Sequence, residues 1–257
     1  MRKRGQITAF VIIGVVIVIL VLLLLYSKKN VFIFSPSQED LNKVMSDIRK
    51  DMISCIGQAG DEPIRRIALQ GGYLSTPEGT YRRYDDVTIS YLCYNMEDDS
   101  RCRNRMLRKV DMEQQLNEAL DFELTKCIDM NKLKAWGQLD IQAAKDWVVE
   151  TTINPESVQV VVNYPVTLIS AKSNAVLKED KFTKTFNYPL GELYKVSQDV
   201  INTESTYGEF DQLTYMLAYH GKYRIEKMRP YPDKIYKMNK EDSNYYFQFA
   251  IQGEPLT

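Results

Sequence analysis

One histidine, His220, serves the entire chain, and none of its four cysteines stands in a C-x-x-C pair. A structural zinc site draws its ligands from such residues, so neither a metal nor a cofactor is expected. There is also no G-x-S-x-G, no H-E-x-x-H and no Walker pattern, and a catalytic triad would have to recruit His220. That residue stands among Tyr215, Tyr219 and Tyr223, and reads as a packed or surface histidine rather than a base. Internal repeats and low-complexity tracts are missing too, and these absences together argue for a non-enzymatic chain.

Charge is the next scarcity. From Ile7 to Tyr26 there is none, and only Thr8 and Tyr26 carry side-chain polar atoms. Twenty residues at about 1.5 Å each cover about 30 Å, the thickness of a hydrocarbon core, which predicts a transmembrane helix. No A-x-A site follows, so a secretory signal cleaved on its far side is not expected. Arg2, Lys3 and Arg4 precede the run and Lys28 and Lys29 follow it, a bias that favours an inside N-terminus. No second apolar run appears, so residues 30–257 are expected outside the cytoplasm, with residues 1–29 as signal and anchor. All 34 acidic residues follow the run, against 30 of the 33 basic ones once Arg2, Lys3 and Arg4 are set aside. Such a balance argues against a dedicated nucleic-acid binder.

The order Lys3-Arg4-Gly5-Gln6 directly before the apolar run resembles a class III signal peptide of type IV pilin-like precursors. The resemblance implies cleavage between Gly5 and Gln6 by a prepilin peptidase-like enzyme, with the helix retained. Bacterial type IV pilins carry Glu five residues into the mature chain, where this sequence has Phe10.

Beyond a juxtamembrane linker, Ser37 reads as an N-cap, and apolar residues from Leu41 to Ala59 follow the spacing of one buried helical face. Gly60 suggests a C-cap, with Asp61 and Pro63 opening a second short helix that the Gly71-Gly72 pair ends. A hairpin is expected from Gly72–Leu74 to Tyr81–Tyr84 around Thr76-Pro77-Glu78-Gly79, followed by a strand over Val87–Tyr94. Residues 95–109 form a charge-rich loop. Asp111 reads as the cap of a helix from Met112 to about Met130, with Leu116, Leu120, Leu124 and Cys127 inside. Strands at 137–142, 147–153, 158–169 and 176–188 suit an antiparallel meander, with Trp136 and Trp147 as core aromatics. Two helical segments follow, one through Leu193–Ile201 and one through Phe210–Tyr219, and strands at 223–225, 234–238 and 245–251 close an α+β chain.

Outside the membrane an even number of cysteines suits disulfides, and four residues allow three connectivities. Cys55 and Cys127 both fall on apolar helical stripes, whereas Cys93 and Cys102 bracket a short loop. The expected pairs are therefore Cys55 with Cys127 and Cys93 with Cys102.

Over most of its length the sequence resembles a family of uncharacterised archaeal membrane-anchored surface proteins. The matching residues are KRGQITAFVIIG, Cys55 with QGGYL, DMEQQL with Cys127, VVNYPV, FNYPLGELY and YYFQFAIQG. The resemblance implies an anchored ectodomain and supplies no catalytic residue. Two functions are consistent with it: a pilin-like structural subunit that self-associates through its anchor helix in the lipid bilayer, or a monomeric anchored domain that binds a protein or glycan.

Overall fold

The computed structural model describes residues 13–22, 38–95, 102–129, 139–170 and 174–253. The processing junction Gly5–Gln6, both ends of the expected membrane span, the Ser37 cap, the acidic part of the 95–109 loop and Trp136 lie outside them. Residues 13–22 are helical (α1), and every one is exposed. Among the described residues no helix is long and apolar enough to cross a membrane.

Gln38–Leu69 is one continuous helix of 32 residues (α2), which corrects the expected break at Gly60. The glycine does not cap. A Cβ at position 60 would lie 2.5 Å from Cζ of Phe186, so the residue is there to let the helix approach the sheet. Pro63 forfeits the bond to the Ala59 carbonyl, a cost of about 3 kcal/mol in a helix interior. Burial of Ile64, Ile67 and Ala68 on the same stripe as Leu41, Ile48 and Ile56 offsets it. Termination comes at Gly71 and Gly72, with φ of 71° and 92°. Their N–H groups donate to Ala68 at 3.4 Å and Ile67 at 2.7 Å, the paired bonds of a Schellman cap.

Tyr81–Tyr84 (β1) and Val87–Tyr94 (β2) form the first hairpin, but its turn is Asp85-Asp86, not the expected 76–79. Both aspartates have positive φ, 47° and 61°, the backbone that a two-residue hairpin turn needs. Arg103–Asn104 (β3) pairs with β2, and Lys109–Leu124 (α3) then buries Met112, Leu116, Leu120 and Leu124. Asp111 lies inside the first turn and pairs with Arg108 instead of capping. The helix ends before Cys127, which is exposed in the following turn and not on the buried stripe.

Leu139–Ala143 (β4), Val148–Ile153 (β5), Val158–Ser170 (β6) and Val176–Phe186 (β7) make a four-stranded antiparallel sheet. β6 alternates strictly, with Val158, Val160, Val162, Tyr164, Val166 and Leu168 inside. Only β5, β6 and β7 form the expected meander. β4 pairs with 166–170 and β5 with 158–163 of β6, so the two share one edge of it.

Leu190–Tyr207 (α4), Gln212–Ala218 (α5), Tyr223–Met228 (β8), Lys234–Lys240 (β9) and Phe247–Ile251 (β10) complete the fold. The second sheet has six strands, in the order β1-β2-β10-β9-β8 with β3 on β2. Its β2–β10 pair is parallel, so the architecture is α+β with antiparallel and mixed sheets. α2 and α3 pack together, with α2 on β7 and α3 on β5, and α4 covers the mixed sheet. One continuous apolar core joins the two regions. α5 departs from expectation: none of its residues is buried, and Leu213 and Leu217 are 63% and 77% exposed.

Candidate functional site

Both predicted disulfides are present, with Cα separations of 5.7 Å for Cys55–Cys127 and 5.1 Å for Cys93–Cys102, inside the normal range. The first fastens α2 to the segment after α3. The second closes the loop between β2 and β3. Sequence reasoning reached the first pair with one false premise, because Cys127 is brought to Cys55 by the turn and not by the helical stripe.

Three carboxylates are buried around the mixed sheet. Glu204, on the inner stripe of α4, accepts from Lys234 Nζ at 2.7 Å and from the Phe210 N–H at 3.1 Å, and the Tyr236 hydroxyl also donates to it. Burial and that carboxylate together drive the Tyr236 hydroxyl far above its ordinary pKa. Nearby, burial would raise the Glu209 carboxyl, but hydrogen bonds from Lys227 and Lys234 outweigh it and hold it at about 2. At the other end of α4, burial opposes ionisation of Glu192, yet Lys222, Tyr223 and Lys240 bring it down to about 2. Asp233 takes the Tyr91 hydroxyl at 2.7 Å, the Gly253 N–H at 2.9 Å and an ion pair with Arg82.

Glu204 and Asp233 are held by fixed donors, whereas one oxygen of Glu192, Oε2, is buried without a hydrogen bond and has Lys240 Nζ at 3.3 Å. Their partners come from other elements, Lys234 and Tyr236 for Glu204, Tyr223 for Glu192 and Tyr91 for Asp233, so they act as ties between elements. His220 is exposed in the turn after α5 with φ of 52°. Tyr215, Tyr219 and Tyr223 pack ring on ring at 4.6 and 5.4 Å, and the hydroxyls of Tyr215 and Tyr223 go to Asp199 and Glu192. The tyrosine cluster therefore ties α4 to α5 and β8. Trp147 meets Tyr164 edge to face at 5.8 Å, against the sheet. No group of acidic, histidine or cysteine side chains among the described residues is arranged to hold a metal.

A groove of about 850 Å³ lies between α2 and the end of β7. One stripe of α2 forms its first wall, through Lys50, Ser54, Gly57 and Asp61, and residues 184–188 form the other. Tyr188 closes one end: its hydroxyl donates to Asp61, Arg65 lies 4.7 Å from its ring centroid, and Tyr245 stacks on it at 4.6 Å. Beyond the other end Arg49 grips Glu179 through two hydrogen bonds, of 2.6 and 3.1 Å. Of the groove residues, the sequence marks Asp61 as a helix start and Phe186, Asn187 and Tyr188 only as part of FNYPLGELY, none of them as a site. A signal existed in Gly57, a mid-helix glycine with no capping role that costs about 1 kcal/mol against alanine.

Comparison with family models, with curated proteins and with solved structures finds no match for this chain. What the site does must be argued from its own geometry.

Proposed function

We propose that this chain is a non-enzymatic, single-pass surface protein, held in the cell membrane by its N-terminal apolar run with the remainder outside the cytoplasm. One observation carries the proposal. The large side chains of α1 are all apolar, lie on every face of the helix, and remain 46–59% exposed. A helix that is apolar all round needs an apolar surround, and the lipid bilayer is the surround that its flanking Arg2, Lys3, Arg4, Lys28 and Lys29 fit. The ten described positions cover about 15 Å, and the uncharged sequence on either side supplies the rest of the length.

The class III signal belongs to the same proposal: a prepilin peptidase-like enzyme cuts between Gly5 and Gln6. Two roles then compete. As a pilin-like subunit the chain packs its helices with those of other copies, with Gly14 allowing the closest approach. As an anchored binding domain it acts alone, and the groove between α2 and β7 favours this second role.

Alkaline extraction of membranes carrying the native chain tests the anchor, with the protein expected in the pellet and its outer part removed by protease on intact cells. Release into the carbonate supernatant would end the proposal. Mass spectrometry of the mature protein should find Gln6 at the N-terminus, and Gly5→Val should block that shift. Cross-linking in native membranes separates the roles, because Gly14→Leu weakens an oligomer and leaves a monomer unchanged.

A further inference from the structure

We propose that the groove between α2 and the free edge of β7 receives an extended, acidic segment of a partner protein, which adds to β7 as a further strand. This gives the binding role a site and a partner chemistry, and it stands whether or not the N-terminus is processed.

The geometry of the walls comes first. Three consecutive residues of β7, 184–186, line the groove, and Asn187 and Tyr188 beyond the end of the strand continue that wall. Successive side chains of a strand point to opposite faces, so an unbroken run can line one groove only where that groove follows the backbone edge. β7 pairs with β6 and with no other described strand, which leaves that edge unpaired. An open edge is a template for another chain, and proteins usually blunt it with charge. On β7 the ion pairs lie in the first half, where Lys178 pairs with Asp180 and Glu179 is held by Arg49, and the second half carries Lys184 on its inner face. From Thr183 onward no such ion pair is made among the described residues.

Positions 50 to 61 of α2 rise about 16 Å, and the three strand residues 184–186 run beside them for about 10 Å before the chain turns, the Tyr188 N–H bonding the Phe186 carbonyl at 2.9 Å. A helix beside an unpaired strand edge is the setting in which main-chain hydrogen bonds give affinity and the helix wall reads alternate side chains.

Charge decides the partner. Lys184 shares its face of β7 with the buried Phe182 and Phe186, yet it makes no ion pair among the described residues. Its side chain lies against Gly57 of α2, where a Cβ would meet Cε of Lys184 in ordinary contact at 3.6 Å. Lys50 stands on the facing wall, with Asp47 only at 3.6 Å. The one carboxylate in the lining, Asp61, is already taken by Arg65 and Tyr188. A segment with carboxylates at alternate positions meets both lysines while its backbone pairs with β7.

The test uses the full chain in lipid nanodiscs and a fluorescein-labelled heptapeptide alternating valine and glutamate, blocked at both ends. Anisotropy should show saturable binding below about 1 mM, weakened about tenfold or more when every peptide amide is N-methylated. Gly57→Leu should weaken binding by a similar factor while thermal melting shows the fold retained. Lys184→Gln, on the accessible side of the groove, serves if Gly57→Leu does not fold. A lysine-for-glutamate peptide should bind less well to the wild type. Equal binding of the N-methylated peptide, equal binding of the lysine peptide, or no saturation by about 1 mM would overturn the proposal. So would a uronic-acid oligosaccharide that occupies the groove where the peptide does not. None of these outcomes touches membrane extraction, so the anchor and the groove fail separately.

Discussion

The two sheets are held by different physics. The antiparallel sheet, with α2 and α3, rests on aliphatic alternation: Val158, Val160, Val162, Val166 and Leu168 point inward, and Cys55–Cys127 fastens the helices. The mixed sheet, with α4, buries Tyr236, Phe247 and Phe249 and runs charged ties through Glu204, Glu192 and Asp233. An aliphatic face asks only for burial, whereas each buried carboxylate must find its partners or cost several kcal/mol. The first region should therefore tolerate changes of pH and fail on loss of its covalent tie, and the second should do the reverse.

The largest expected effect tests the first half of that contrast. Cys55 and Cys127 are 72 residues apart in sequence, and closing a loop of that length contributes about 4 kcal/mol in the chain-entropy description. Replacing both by serine should lower the unfolding free energy from urea titration by about that amount, with α2 and α3 losing hydrogen-exchange protection before β9 and β10. Loss beginning at β9 would break the comparison.

Next in size is Glu204→Ala. It removes the acceptor for Tyr236 and the Phe210 N–H and leaves Lys234 with Glu209 and the Gly208 carbonyl. Breaking a buried pair from one side costs about 3 kcal/mol at the low end of the usual range. A loss under about 1 kcal/mol in urea unfolding would mean the network is solvated like a surface pair.

Acid should sharpen the difference further. Glu192 and Glu209 are both held at about 2, below the ordinary 4.5. Between those values the unfolded chain binds more protons than the folded one, so stability is complete above about pH 4.5 and fades as pH falls toward 2. The difference in urea midpoint between wild type and Glu192→Gln should narrow over that window. A constant difference would place the role of Glu192 in packing.

Arg49→Ala should do least. Its pair with Glu179 is half-exposed, and such pairs contribute at most about 1 kcal/mol. Thermal melting should barely move; a loss above about 2 kcal/mol would make this tie part of the core of the antiparallel region.

Particular elements show what local pattern carries. β6 was readable because its alternation repeats every two residues, and α2 because its apolar stripe and its glycine exit are both short-range signals. The misreadings have long-range causes. Gly60 looks like a cap until Phe186 arrives from 126 positions along the chain to occupy the space beside it. Asp85-Asp86 outcompetes the proline-glycine turn because β1 pairs forward to β2, and α5 stays exposed because α4 already covers the mixed sheet. Glu204 left a trace, a charge on the stripe of Val196 and Val200, but Lys234 and Tyr236 lie 30 and 32 residues away.

By itself the sequence determined the uncharged N-terminal run, the even cysteine count and the most strongly periodic segments, such as the alternation of β6 and the apolar stripe of α2, since each depends on residues within a few turns or on parity of count. Tertiary structure alone decided that β10 runs parallel to β2, that β4 and β5 share an edge of β6, and that β7 pairs with β6 alone among the described strands, with α2 beside it. The reason is physical: periodicity tells each element which face to bury, and many partners offer a matching face. Only closing the whole core selects among them, and so fixes which edge is left over.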